Sequence, residues 1–347
     1  MLADLAAGLA LVALIAYGVL GGADFGGGVW DAFARGPRRD AQRDAIAHAM
    51  GPVWEANHVW LIFVVVLLFT CFPPAYAALG VALFTPFHLV LLGIILRGAA
   101  FVFRAYSPQS IRRPELPGRQ ARRWGAVFGA ASVITPVLLG MCLGAVSAGG
   151  VRVAGGVVAV DGAAPWLRPL SLATGGFALA VCAYLAAVYL ANETEGELRG
   201  DFRRRALWAG TAVVAMSALM LPLLRAEAPH LWHGLLSARA APVLALGVAA
   251  ALLSGWALWR HRPRLARTAT VVQTTCLIAG WGIAQHPYLV YPDVTVHTAA
   301  AGEATLRFVL WSTPAGMALL LPSLFLLFRV FKGPSLALAD AEERAER

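Results

Sequence analysis

Charge is what this sequence lacks most. Only 14% of its 347 residues are Asp, Glu, Lys or Arg, against about 25% in an ordinary soluble domain. Apolar residues make up 59% of the chain, and its mean hydropathy is +0.69. Those proportions exclude a soluble globular protein, because uncharged stretches this long and this frequent cannot all be core elements. Lysine is nearly missing: Lys332 is the only one, so arginine carries almost all the positive charge. Cysteine is scarce too. Cys71, Cys142, Cys182 and Cys276 lie far apart inside apolar segments, a spacing that excludes both a disulfide framework and a zinc site. No basic residue precedes the first apolar run, so Met1-Leu2-Ala3-Asp4 lacks the charged start of a secretory signal, and the first segment reads as a retained span. The formal charge of +9 does not imply a nucleic-acid partner, since the basic residues form short clusters between apolar runs rather than one soluble surface.

What the chain does have is a series of charge-free runs: Leu5–Ala23, Ala56–Leu96, Trp124–Val151, Pro169–Asn192, Ala206–Leu224, Ala240–Trp259, Thr268–Pro292 and Phe308–Phe328. A helix needs only about 20 residues to cross the hydrocarbon. The second run, 41 residues long, must be two helices, interrupted at Pro73-Pro74 where a tight turn is expected. The prediction is an all-α polytopic membrane protein with nine transmembrane helices in a single integral membrane domain, 1–347. Its spans are expected near 5–33, 52–72, 76–103, 124–147, 169–191, 206–224, 241–259, 268–286 and 308–331. Basic residues set the orientation. One set of alternate loops and the tail carry clusters such as Arg35, Arg38, Arg39 and Arg43, or Arg260, Arg262, Arg264 and Arg267, whereas the opposite loops hold only Arg152, Arg168, Arg225, Arg239 and Arg307. This bias predicts an amino terminus outside and a cytoplasmic carboxyl terminus. No connection is long enough for a core of its own, and Asp340–Arg347 is expected to fray.

Ionisable groups at bilayer depth are costly, about 2.5 to 3.5 kcal/mol on insertion scales, so each one inside a span is a functional candidate. Asp24, Glu55 and Arg97 are such groups, all toward the cytoplasmic end. At about 1.5 Å of rise per residue, Asp24 stands roughly 16 Å before Arg35 and Arg97 roughly 10 Å before Arg104. Two readings stay open. Asp24 and Glu55 form a proton route, with Arg97 keeping one carboxylate ionised; or Asp24 and Arg97 neutralise each other between helices while Glu55 favours its helix start. Glu55 and His58 have the i, i+3 spacing of carboxylate-bridged di-iron bundles, but no second such pair is present. His88 and His286 are lone histidines near apolar stretches, more often satisfied by a carbonyl than used as haem ligands. Gly21-Gly22 and Gly26-Gly27-Gly28 flank Asp24 and allow close helix approach. They are no dinucleotide fingerprint, which needs a preceding strand. Trp166, Trp232, Tyr288 and Tyr291 fall where an outer aromatic belt is expected.

Several strings carry a resemblance. Tyr17–Gly28 reads YGVLGGADFGGG, Gly51–Leu61 reads GPVWEANHVWL, Leu96–Arg104 reads LRGAAFVFR, Thr135–Gly144 reads TPVLLGMCLG, Leu198–Leu207 reads LRGDFRRRAL and Gln285–Asp293 reads QHPYLVYPD. In this order and combination they resemble subunit II of cytochrome bd-type quinol oxidases, with WEANHVW similar to the cyanide-insensitive branch. The resemblance implies nine helices, two four-helix bundles and one extra, packed pseudo-symmetrically against a similar subunit I. It implies that subunit I holds two b-type haems, one d-type haem and the quinol-oxidising loop, so that this chain binds no cofactor and no metal. The implied complex lies in the bacterial plasma membrane among lipid and quinone, with room for a small single-helix subunit and with no nucleic acid. It oxidises quinol, reduces oxygen to water and builds a proton gradient. Asp24 and Glu55 match the family's acidic positions and are the proton-pathway candidates, with Trp54, Asn57, His58, Arg97 and Arg104 as polar support. Val102 stands where the family often has an acid, so no relay through that position is expected. The competing class is a secondary transporter, also polytopic with charges at depth.

Overall fold

The computed structural model describes residues 1–105, 119–160 and 164–332; within them the side chains of 51–56, 104–105, 119–122 and 327–332 are outside the description. The helices, in chain order, are α1 (Leu2–Ala32), α2 (Arg39–Cys71), α3 (Pro73–Ala82), α4 (Phe84–Ala105), α5 (Arg119–Ser147), α6 (Pro169–Glu193), α7 (Gly196–Glu227), α8 (Pro229–Leu235), α9 (Ala241–Trp259), α10 (Pro263–Gln285) and α11 (Glu303–Lys332). Runs without charge become helices because only intrasegment hydrogen bonds can satisfy a backbone surrounded by lipid. Among the described residues, seven of them (α1, α4, α5, α6, α7, α9 and α11) are long and apolar enough to cross a membrane, or eight if the bent pair of Asn57–Cys71 and α3 is one span. The chain is thus a multi-pass membrane protein. α10 also has the length to cross, but it buries Thr270, Gln273, Thr274 and Gln285, which dilute its hydropathy.

α1 is the hub, packing against α2, α5, α6, α10 and α11. Its glycines make this possible. A Cβ on Gly26 would run into the carbonyl oxygen of Cys182 on α6, and one on Gly28 into Ser132 Oγ on α5. α6 thus brings its backbone against α1 and α5 its Ser132 side chain, close approaches that small residues permit in lipid.

One expectation is corrected. Pro73 and Pro74 do not form a tight turn: they open α3, which is bent by 116° from the end of α2, so the third long span starts at Phe84 rather than near 76. Proline lacks the N–H that a first helical turn leaves unused and has its φ preset, so it starts helices as readily as it ends them. The fold is all-α in class, as expected, with two short hairpins in its connections. β1 (Val151–Ala154) pairs antiparallel with β2 (Val157–Val160) around Gly155 and Gly156, both at positive φ, and β3 (Tyr288–Val290) pairs with β4 (Val294–Thr295). A two-residue Gly-Gly link between valine-rich segments suits a tight hairpin.

Both hairpins gather at one end of the molecule with α3 and the start of α1 around a core of Val151, Val290, Val294, Ala3, Ala6 and Phe72. Asp293 ties them together, accepting from Arg152 Nε at 2.8 Å, Arg152 Nη2 at 3.2 Å and the Val153 N–H at 2.9 Å. At the opposite end Arg38 donates through Nε and Nη2 to Asp201, both at 2.8 Å, and through Nη1 to Glu197 at 2.8 Å. Gln42 donates to Asp201 at 3.0 Å and accepts from Arg205 at 2.6 Å. The arginines of that end therefore clamp the start of α2 to α7.

Candidate functional site

Asp24 on α1 and Arg97 on α4 meet inside the helical body, 1% and 3% exposed. Arg97 Nη1 donates to Oδ2 and Nη2 to Oδ1 of Asp24, each at 2.6 Å, a fork-to-carboxylate match that a lysine cannot make. Nη2 also donates to the Asp24 backbone carbonyl at 2.9 Å. Nε donates to Ser132 Oγ on α5 at 3.0 Å, and that hydroxyl donates on to the Phe128 carbonyl at 2.7 Å. Asn57 on α2 donates Nδ2–H to Asp24 Oδ2 at 2.7 Å. The guanidinium lies against the rings of Phe25 and Phe128, 5.1 and 4.8 Å from their centroids. Four helices thus contribute to one buried polar knot in which both carboxylate oxygens are engaged. Removing two charges from water is repaid only by such dense bonding.

Beside the knot is a crevice lined by Tyr17, His58, Leu61 and Ile94 next to Asn57 and Arg97. Its free space is about 10 Å³, the scale of a single water and far short of a macrocycle. Among the described residues the buried Tyr17 hydroxyl, which lines this crevice, has no hydrogen-bond partner, and a water there would satisfy it.

Of the residues singled out in the sequence, the structure brings together Asp24, Asn57 and Arg97 and puts His58 at the rim, half-buried. The side chains of Trp54, Glu55 and Arg104 lie outside the described residues. Sequence reasoning missed Ser132 and Tyr17. The signal was weak: a serine in an apolar run is ordinary, and only the unsatisfied Nε of a buried arginine asks for it. It also missed a hydroxyl chain between α6, α9 and α10, where Tyr184, Ser254 and Thr270 bond in series at 2.7 and 2.6 Å. His88 donates to the Phe84 carbonyl of its own helix at 2.7 Å, and His286 faces Asp4 at 3.4 Å. Tyr288 and Tyr291, expected as belt residues, pack with His230 into a three-ring cluster. Among the described residues no three His, Cys, Asp or Glu side chains gather as metal ligands would.

Comparison with known proteins places the fold. The family model of cytochrome bd terminal oxidase subunit II matches residues 2–331. A Bacillus subtilis (strain 168) protein named as a cytochrome bd menaquinol oxidase subunit II is 25% identical over 326 residues, 91% of each chain. Cytochrome bd-I ubiquinol oxidase subunit 2 of Escherichia coli (strain K12) is 24% identical over 338 residues, 86% of each. A chain of the solved bd oxidase of Geobacillus thermodenitrificans superposes with a TM-score of 0.79 at 23% identity, covering 95% of this chain and 98% of that one.

Proposed function

The chain belongs to the cytochrome bd terminal oxidase subunit II family, and from that premise we propose that it is the haem-free subunit of a bd-type quinol:oxygen oxidoreductase, packed against a haem-bearing subunit I in the bacterial plasma membrane. Membership in the family replaces the transporter reading. The partner's two b-type haems and one d-type haem supply the redox chemistry, oxidising quinol and reducing oxygen to water. This chain supplies a sealed apolar wall and a fixed arrangement of charge. The two relatives are named for different quinols, so the substrate is a quinol as a class. The bias of arginine toward one end supports an outside amino terminus and a cytoplasmic carboxyl terminus. Helices overlap each expected span, and the division into two four-helix bundles with α11 as the extra crossing is taken from the family. Lipid surrounds them, and a small single-helix subunit has room to join.

The observation that carries the reading of the site is the closed Asp24–Arg97 pair, tied to Asn57 and Ser132. A carboxylate held by three side-chain donors is a fixed negative charge, anchoring α1 to α4 and holding a polar floor at depth. Glu55, two residues before Asn57 on α2, is then the acid that takes protons from the cytoplasm and passes them inward toward the Asp24 end through crevice water. The test uses the intact complex, purified in mild detergent through this chain. It is expected to show haem bands and quinol-dependent oxygen uptake, and Glu55→Gln is expected to slow turnover severalfold at full haem content. Parental turnover in that variant, with an unchanged spectrum, removes the proton role from Glu55.

A further inference from the structure

A second concavity lies away from the Asp24 site, on the surface between α1, α6 and α10. It is a groove of about 130 Å³, walled by Val19, Ala23, Leu185, Val188 and Val271. Its walls are almost wholly apolar, and Arg267 sits on its rim beside Tyr189. Both rim residues belong to the same end of the bundle. Arg267 is in the first two turns of α10, and Tyr189 is in the last turn and a half of α6. The remaining wall residues of α10 and α6 lie farther along their helices, so the groove leads inward from a charged rim to an apolar floor.

Among the described residues Arg267 makes one long hydrogen bond, Nη1 to Glu193 Oε1 at 3.4 Å, and lies over the Tyr189 ring at 5.9 Å. A guanidinium carries five N–H donors in a planar fork, so most of its capacity is unused, and that fork matches two oxygens of a phosphate. Arg260, Arg262 and Arg264 lie on the same turn into α10. At that end of the bundle the bilayer offers one anion in quantity, the phosphate of a lipid headgroup, and basic pockets between helices on the cytoplasmic side bind such headgroups. The volume takes a short stretch of one alkyl chain: a dry apolar cavity of about 150 Å³ holds a single small hydrocarbon.

We propose that this groove is a binding site for an anionic phospholipid, whose phosphate is held by Arg267 and whose upper acyl chain lies on Val19, Ala23, Leu185, Val188 and Val271. The lipid would brace α10, which buries Thr270, Gln273, Thr274 and Gln285, against α1 and α6. This site does not rest on the assignment of Glu55 or Asp24, but it does rest on the proposed orientation, with this end of the bundle at the cytoplasmic face.

The experiment is lipid-dependent melting of the delipidated intact complex in detergent. Phosphatidylglycerol, phosphatidylcholine and water-soluble glycerol 3-phosphate are added separately, and native mass spectrometry counts the retained lipid. Phosphatidylglycerol is expected to raise the melting midpoint more than phosphatidylcholine, with glycerol 3-phosphate giving no shift. Arg267→Gln is expected to lose the excess and the retained lipid. Val271→Trp, which fills the groove and leaves the guanidinium, is expected to do the same. Glu193→Gln removes the ion pair but keeps the fork, so it should retain the full excess; this separates loss of lipid from loss of the pair. Equal shifts from the two phospholipids, a full shift from glycerol 3-phosphate, or an undiminished excess in both Arg267→Gln and Val271→Trp would overturn the proposal.

Discussion

Arg97 uses Nε, Nη1 and Nη2 on acceptors from two other helices, and Asp24 takes both forks of it plus Asn57. At this depth each charge is tolerable only because the other is there. Removing one partner leaves the second buried and uncompensated, which costs about 3–5 kcal/mol, whereas removing both is far milder. Asp24→Asn is therefore expected to lower the melting midpoint and yield of the complex sharply, and Asp24→Asn combined with Arg97→Gln to recover part of the loss. Thermal melting of the three purified forms checks this. A single variant as stable as the parent would mean that the pair contributes nothing to holding α1 and α4 together.

Helix packing around α1 depends on where side chains are missing. Gly26 faces the Cys182 carbonyl of α6 so closely that any Cβ collides with backbone, which cannot swing aside as a flexible side chain can. Gly8, on the same helix, has nothing within 4 Å of the place a Cβ would take. Ala is ordinarily about 0.5–1 kcal/mol better than Gly inside a helix. The two substitutions should then part in sign: Gly8→Ala neutral or slightly stabilising, Gly26→Ala destabilising enough to reduce recovery of folded protein. Melting or detergent-resistant yield measured side by side reads the difference. A harmless Gly26→Ala would show that α1 and α6 can separate without cost. The Pro-led α3 makes a related point, since the same residues that stop α2 begin the next helix at a steep angle and so set where α4 starts.

Across the whole molecule, contacts between distant segments close the two ends. At the hairpin end the Arg152 hydrogen bond holds the Asp293 carboxyl below the usual carboxylate range; slight burial opposes this, and the Val153 N–H and the Arg152 charge add to it. A depressed folded value means that the tie contributes stability above the unfolded value of about 3.9 and loses it as pH falls through the folded one. Amide hydrogen exchange in residues 151–160 is the measurement. After correction for intrinsic rates, protection should fall on acidification below about pH 4, while Asp293→Asn should show weakened protection already at neutral pH and no further acid step. Identical profiles for parent and variant would separate Asp293 from the docking of the hairpins.

Much of this was legible along the chain, because hydropathy and charge density are properties of local windows. The membrane class, the approximate places of most long helices, the arginine clusters and the choice of Asp24 and Arg97 as candidates come from residues read in order; Asn57 comes only with the family resemblance. Packing decided the rest. Arg97 and Asp24 are 73 residues apart, Arg152 and Asp293 are 141 apart, and Ser132 enters only because α5 lies against α1 beside Gly28. No window contains such pairs. Whether a buried carboxylate is a carrier or a counter-charge depends on which donors the neighbouring helices bring to its oxygens, and that is a matter of three-dimensional contact rather than of order along the polypeptide.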